Sequence, residues 1–227
     1  MIDTTLTIAA LTLKRLMRGK TLWIGLVVAL LPVVFAIVLR ASFADNSKIT
    51  SQILAFEMLL LVVLPAMFVG ASIGEDIEDR TATYLWSRPV PREAVLAGKL
   101  LALVPIAVAL VVASWAAAGF ASTGGAPPAE SLAGVAAGTF AVCLVATGIA
   151  TLVPKHGTAL TIVYMLLFDL PIGVLPASLR YLSTTHLARA IADPRPSDPP
   201  LVCAVALAIL GAIWLAVGIL RIRRIEV

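Results

Sequence analysis

The sequence has little charge, and its few charged residues are separated by long apolar runs. Only 13% of the 227 residues are Asp, Glu, Lys or Arg, whereas 60% are hydrophobic. Mean hydropathy is +1.03, and several apolar runs reach the length of about 20 residues that a helix needs to cross a bilayer. This composition excludes a soluble domain. In a membrane protein, the formal net charge of +4 indicates basic cytoplasmic loops rather than nucleic-acid binding.

Cysteine and histidine are also scarce. Cys143 and Cys203 each stand alone in an apolar run, without metal-binding or redox spacing, and we expect both to be small core residues. His156 and His186 fall on opposite sides of the predicted topology, so they cannot share a metal ion. No Ser-His-Asp, His-Glu-x-x-His or Cys-x-x-Cys arrangement is present. We therefore predict no catalytic site and no metal site in this chain.

A nucleotide-binding loop is missing as well. Gly19-Lys20-Thr21 matches the end of such a loop, but the earlier glycine of the motif is replaced by Lys14, and no strand precedes it. Any ATP chemistry connected with this protein therefore belongs to another chain.

The apolar runs predict an all-α polytopic membrane protein with one transmembrane domain over residues 1–227. The six predicted spans are 22–39, 53–73, 94–120, 132–153, 158–178 and 201–220. Asp169-Leu170-Pro171 interrupts the fifth span and predicts a kinked or broken helix. Residues 182–192 predict a short interfacial helix before the sixth. The first run could also be a cleaved signal peptide, but it is longer than the usual signal core.

Residues 2–20 predict an amphipathic helix that lies in the membrane interface. Ile2, Leu6, Leu13 and Met17 recur at helical spacing, and basic residues fall mostly on the other side. Basic residues also predict the orientation, because cytoplasmic loops are enriched in Lys and Arg. Twelve of the 17 lie on the side of the N-terminus, which places both termini in the cytoplasm: Lys14, Arg15, Arg18, Lys20, Arg80, Arg88, Arg92, Lys99, Lys155, Arg221, Arg223 and Arg224.

The polar stretch 74–93, between the second and third predicted spans, contains more distinct sequence features than a simple linker requires. It opens with four acids within five residues, continues with an apolar turn, Tyr84-Leu85-Trp86, and ends in a segment with two prolines, Pro89 and Pro91. Apolar anchors with a charged rim are typical of docking surfaces, so we expect this stretch to bind a partner.

This order of residues, continuing into Gly98-Lys99-Leu100, resembles the cytoplasmic coupling segment of ATP-binding-cassette exporter permeases of the type-2 class. Arg80 stands where that family commonly has Gly, and Pro91 where it commonly has a small polar residue. The resemblance implies that the segment docks on a separate ATPase subunit. The residues it assigns to this docking are Glu75, Asp76, Glu78, Asp79, Arg80, Thr81, Tyr84, Leu85, Trp86, Arg88, Pro89, Arg92 and Glu93.

The resemblance has further implications for partners and location. ATP and Mg would bind to the ATPase subunit, with no cofactor in this chain. Six spans are half of a complete transporter, so a second permease copy is expected, in a bacterial cell membrane. Two other classes stay open: an ion-coupled secondary transporter or channel, and a membrane anchor that recruits an ATPase without transport. The sequence does not reveal the substrate.

Two acids lie inside the predicted spans, Glu57 in the second and Asp169 in the fifth. Acids within the bilayer are costly and usually face the bundle interior or water. We therefore expect both to line a substrate path, with Glu57 nearer its outer mouth. The alternatives are interfacial snorkelling for Glu57 and capping of a broken helix for Asp169.

The topology can be tested by labelling single cysteines in a background without the two native ones. The basic residues predict that an impermeant thiol reagent added outside reacts with cysteines at Ser47, Thr123 and Ser197, but not at Thr83. Outside labelling at Thr83 would overturn both the orientation and the position of the coupling segment.

Overall fold

The structure, a computed structural model, describes residues 2–42, 46–78, 92–175, 178–193 and 198–224, with residues 2, 46–48 and 75–78 described as backbone only. Every regular element in these ranges is helical, as the sequence predicted. The α-helices are Ile2–Arg18, Lys20–Ser42, Asn46–Pro65, Ala71–Glu78, Arg92–Thr123, Ala129–Leu152, Gly157–Tyr164, Leu170–Val174, Thr184–Ala192 and Pro200–Arg224. Ala66–Gly70 and Met165–Asp169 are π-helical, and Pro154–His156 and Ser178–Leu182 are 3-10 turns.

Six of the described helical segments are long and apolar enough to cross a membrane, which confirms the predicted number. Spans one to six are Lys20–Ser42, Ile49–Gly74, Arg92–Thr123, Ala129–Leu152, Pro154–Val174 and Pro200–Arg224. Span five ends at Val174, not at residue 178 as predicted. Leu175 is extended with ψ 135°, because the residue before a proline avoids the helical region, and Pro176 follows.

The sequence predicted a kinked or broken helix in span five, and the structure shows that the helix is not broken. Helix Gly157–Tyr164 continues through the π-helical turn Met165–Asp169 into helix Leu170–Val174 without interruption. Pro171 has no N–H to donate to the helix, and the wider turn directly before it takes up the irregularity. The helix is therefore locally widened, and Asp169 lies at the end of the widened turn.

Span four is the centre of the bundle. It packs against spans two, three, five and six and against the short helix Thr184–Ala192. Within the 18-residue apolar stretch of each span, 72% of the residues of spans two and four are buried, whereas only 22% of those of spans five and six are. Glycines allow the close approach that holds helices together in lipid. A Cβ at Gly138 would lie 2.4 Å from that of Ala188 in the short helix, and one at Gly148 2.5 Å from the Trp214 ring of span six.

The N-terminal helix Ile2–Arg18 packs along the start of span three, two residues shorter than predicted. Leu16 is buried, whereas Leu6 and Met17 of the predicted apolar stripe are 53% and 64% exposed. This exposed apolar face is what an interfacial helix requires, since such a helix places it in the lipid.

Gly98 sets the contact between the N-terminal helix and span three. A Cβ at this position would lie 2.8 Å from the Thr5 carbonyl oxygen and 2.9 Å from the Ile8 Cβ. We expect Gly98→Ala to push the N-terminal helix away and to lower stability by about 1 to 3 kcal/mol, the usual cost of overpacking. Limited proteolysis should then cut between the helix and span one faster.

Gly125→Ala is the matched control, because nothing lies within 4 Å of the Cβ it would add. Equal protease resistance of the Gly98→Ala and Gly125→Ala variants would contradict the proposed packing.

Candidate functional site

Asp169 is the most extensively hydrogen-bonded side chain among the described residues. It is 2% exposed and accepts bonds from the Thr184 N–H at 2.7 Å and the Thr185 N–H at 3.0 Å. The hydroxyls of Ser183, Thr184 and Thr185 donate to the same carboxyl group. These amides belong to the first turn of the short helix and have no partner within it. Asp169 therefore caps the helix that follows, rather than its own helix as the capping alternative supposed.

Ser183 completes the cap. Its hydroxyl oxygen accepts the His186 N–H at 3.0 Å while its proton goes to Asp169. The end of span five comes close here, since a Cβ at Gly173 would lie 2.8 Å from the Ser183 Oγ. A glycine at this position lets the cap and the span meet.

A second carboxyl group, Asp198, ties the other side of the short helix to the chain before span six. It is 5% exposed and binds Arg180 at 2.6 Å, the Tyr181 hydroxyl at 2.9 Å and the His186 ring at 3.2 Å. Desolvation works to raise the pKa of Asp198, but the hydrogen bonds from Tyr181 and His186 and the charge of Arg180 outweigh it and hold this pKa below its ordinary value.

The sequence indicated neither the role of Asp198 nor its partners. Because its pKa is lowered, its contribution to stability is fully present above the ordinary carboxyl value of 3.8 and is lost as the pH falls through the lower folded value. Arg180 and His186 are two of its partners.

Glu57 lies deep between spans two and three and is fully buried. Its Oε2 accepts a bond of 3.3 Å from the Ser114 hydroxyl of span three. Its Oε1 has no partner. The structure therefore places Glu57 and Asp169 in two separate environments, one nearly without donors and one with several. Their contribution to a substrate path stays a prediction.

The described residues at both ends of the predicted coupling segment contact other spans. A Cβ at Gly74 would lie 2.6 Å from the carbonyl oxygen of Pro154, in the 3-10 turn that begins span five. Glu93 pairs with Arg223 at 2.5 Å, and Arg92 donates to the Arg223 carbonyl oxygen at 3.4 Å. Arg92 and Glu93, assigned to the coupling segment from the sequence, form the first turn of span three.

The other predicted docking residues cannot be placed in the same detail. For Glu75, Asp76 and Glu78 the structure describes only a helical backbone. The remainder lie outside the described residues: Asp79, Arg80, Thr81, Tyr84, Leu85, Trp86, Arg88 and Pro89.

An apolar groove of about 530 Å³ lies near the Glu93 end of the bundle, and sequence patterns gave no sign of it. Leu100 and Val104 of span three, Phe140 of span four and Leu215 of span six line it, and Glu93 and Thr5 lie at its edge. Such a groove fits an apolar chain. No group of three or more His, Cys, Asp or Glu that could hold a metal ion occurs within the part of the chain that the structure describes.

A family model described as "ABC-2 family transporter protein" matches residues 12–173. This range runs from the N-terminal helix through the predicted coupling segment to the end of span five. No curated protein matches the chain.

The cap on the short helix can be tested by replacing Asp169. Asp169→Leu leaves the Thr184 and Thr185 amides without an acceptor, and we expect a loss of about 2 kcal/mol or more. Asp169→Asn keeps one acceptor oxygen and should lose less. The measurements are the thermal unfolding midpoint and protease cleavage within residues 178–200.

Glu130→Leu is the control, since Glu130 is an exposed acid at the start of span four. Its effect should stay within about 0.5 kcal/mol, as for most surface changes. An Asp169→Leu variant as stable as this control would show that the cap does not hold the short helix.

Proposed function

Since this chain belongs to the ABC-2 transporter family, a permease component of ATP-binding-cassette transporters, we propose that it moves substrate across the membrane with energy from ATP hydrolysed on a separate ATPase subunit. The observation that carries this proposal is the family match over residues 12–173, which includes the stretch 74–93 and five of the six spans. The chain itself supplies helices and a docking segment. ATP and Mg bind to the partner.

The stretch 74–93 is the proposed docking site for the ATPase. Two contacts support a mechanical role. Gly74, where it starts, touches Pro154 in the turn that begins span five, and Glu93, where it ends, pairs with Arg223 at the end of span six. A force on this segment therefore reaches spans two and three directly and spans five and six through these contacts.

The side of the membrane follows from charge. Lys14, Arg15, Lys155 and Arg223 belong to elements that gather at the same end of the bundle as Gly74 and Glu93. Because cytoplasmic segments are enriched in basic residues, we propose that this end and both termini are cytoplasmic. The short helix and Asp198 are then on the outer side.

We further propose that two copies of the chain work together, with the substrate path between them. Spans one, five and six support this, since they are the least buried spans and expose large apolar side chains such as Val27, Leu167 and Ile209. One copy with six spans provides half of the transmembrane helices that the resemblance implies for the complete transporter.

The docking proposal predicts the effect of removing the aromatic anchors. Replacing Tyr84 and Trp86 with Ala should weaken ATPase binding by at least about 2 kcal/mol, or roughly 30-fold, since buried aromatics dominate such interfaces. Co-purification of the ATPase and the dissociation constant in detergent are the measurements. Phe120→Ala, at an exposed aromatic near the opposite end of span three, is the control and should bind normally.

Reversing the charges that flank the aromatic residues provides a second test of the docking site. Reversing Glu75 and Glu78 to Lys should weaken docking most at low salt, because salt screens exposed charges. If the double Ala variant keeps its ATPase and full ATP-driven transport, the segment is a plain linker and the proposed docking site is wrong.

A further inference from the structure

The carboxyl group of Glu57 lacks the partners that a buried charge needs. It is fully buried, and its Oε1 is the one buried side-chain polar atom without a hydrogen bond among the described residues. Its other oxygen receives a single long bond, 3.3 Å from the Ser114 hydroxyl. An ionised carboxylate in such surroundings would be strongly unfavourable without a paired cation and further donors.

The neighbouring side chains cannot supply those partners. On span two, Ile53, Leu54 and Leu61 are buried apolar residues one turn away. On span three, the Trp115 indole N–H next to Ser114 is already used, because it donates to the Ser131 hydroxyl at 3.0 Å. Ser114 is therefore the one side chain seen to reach Glu57.

Basic groups on the elements packed around Glu57 lie at helix ends, are exposed or have other partners. The short helix, which also packs against span two, carries Arg189, which is exposed, and His186, which pairs with Asp198. Span one carries Lys20 and Arg40, and span three carries Arg92 and Lys99 in its first turns. Arg40 donates to the Ala121 carbonyl oxygen, about 10 Å along the helix from Ser114 at 1.5 Å per residue. Lys99 donates to the Ser72 carbonyl oxygen. The acids Glu93 and Glu130 also lie at the helix ends.

We propose that Glu57 is a proton-binding site within the transmembrane bundle and holds a proton in this conformation. A proton fits the site better than a metal cation, because Ca²⁺ takes six to eight oxygen ligands and Mg²⁺ about six, whereas Glu57 and Ser114 together offer three. An unpaired acid in the bilayer either faces water or holds a proton. The full burial of Glu57 excludes contact with water in this conformation. The proposal depends on the surroundings of Glu57 alone and holds whether or not the ATPase docks as proposed.

Asp169 provides a matched contrast inside the same protein. It is equally removed from solvent, but two backbone amides and three hydroxyls donate to it. The two buried acids therefore differ in the donors that packing brings to them, and Glu57 is the one left with an oxygen atom without a partner.

Infrared difference spectroscopy on the purified protein in lipid vesicles at pH 7 distinguishes a protonated Glu57 from an ionised one. The Glu57→Gln variant should lose a carboxylic-acid C=O stretching band relative to the unmodified protein. Loss of carboxylate bands in Glu57→Gln would overturn the proposal. Glutamine can keep the bond from Ser114, so we expect this variant to fold, and its elution as the same species on gel filtration checks this.

A second variant keeps the test valid if Glu57→Gln does not fold. Ser114→Ala leaves the glutamate in place and removes the bond to its Oε2, so the C=O band should persist at a higher frequency. An unchanged carboxylic-acid region in Ser114→Ala, with the protein folded, would equally overturn the proposal.

Discussion

The end of the bundle that carries the short helix depends on the hydrogen bonds that Asp169 accepts from the first turn of that helix. A polar segment of chain cannot return toward the membrane unless its free amides find acceptors, because lipid offers none. Asp169 provides them at 2.7 and 3.0 Å, and Ser183 adds the bond to His186. With its first turn satisfied, the short helix can pack its small residues against span four, where Gly134 and Gly138 leave room for it.

The same constraint accounts for the difference between the two acids in the spans. Asp169 lies at the first turn of the short helix and accepts hydrogen bonds from the free donors there. Glu57 lies between the sides of spans two and three, whose backbone amides are already bonded within their own helices. The first position therefore gives a carboxyl group several donors, whereas the second leaves it with the single bond from Ser114. Glu57 and Ser114 also belong to the two spans that the stretch 74–93 connects, so they lie at the interface on which the proposed docking would act first.

At the opposite end of the bundle, the ion pair is exposed rather than buried. The Arg223–Glu93 pair leaves both side chains about half exposed, and such pairs contribute little to stability. Its value in the proposed mechanism is geometric, since it joins the end of span six to the start of span three. On the other side of the segment, the buried Gly74 packs closely against Pro154 and joins the end of span two to the start of span five.

Much of this protein followed from sequence alone. Apolar runs of fixed length gave the six spans, and helical periodicity gave the N-terminal helix, because a bilayer permits few other structures. The order of residues from Glu75 to Glu93 pointed to the transporter class. Helix ends were less predictable, as span five shows by stopping at Val174 before Pro176.

The roles of the buried acids required the tertiary structure. Nothing near Asp169 in the sequence indicates that its donors come from residues 183–185, and nothing near Glu57 indicates that Ser114 is its one observed partner. Those distances depend on how the helices pack, and a side chain's charge state is set by the groups that packing brings to it.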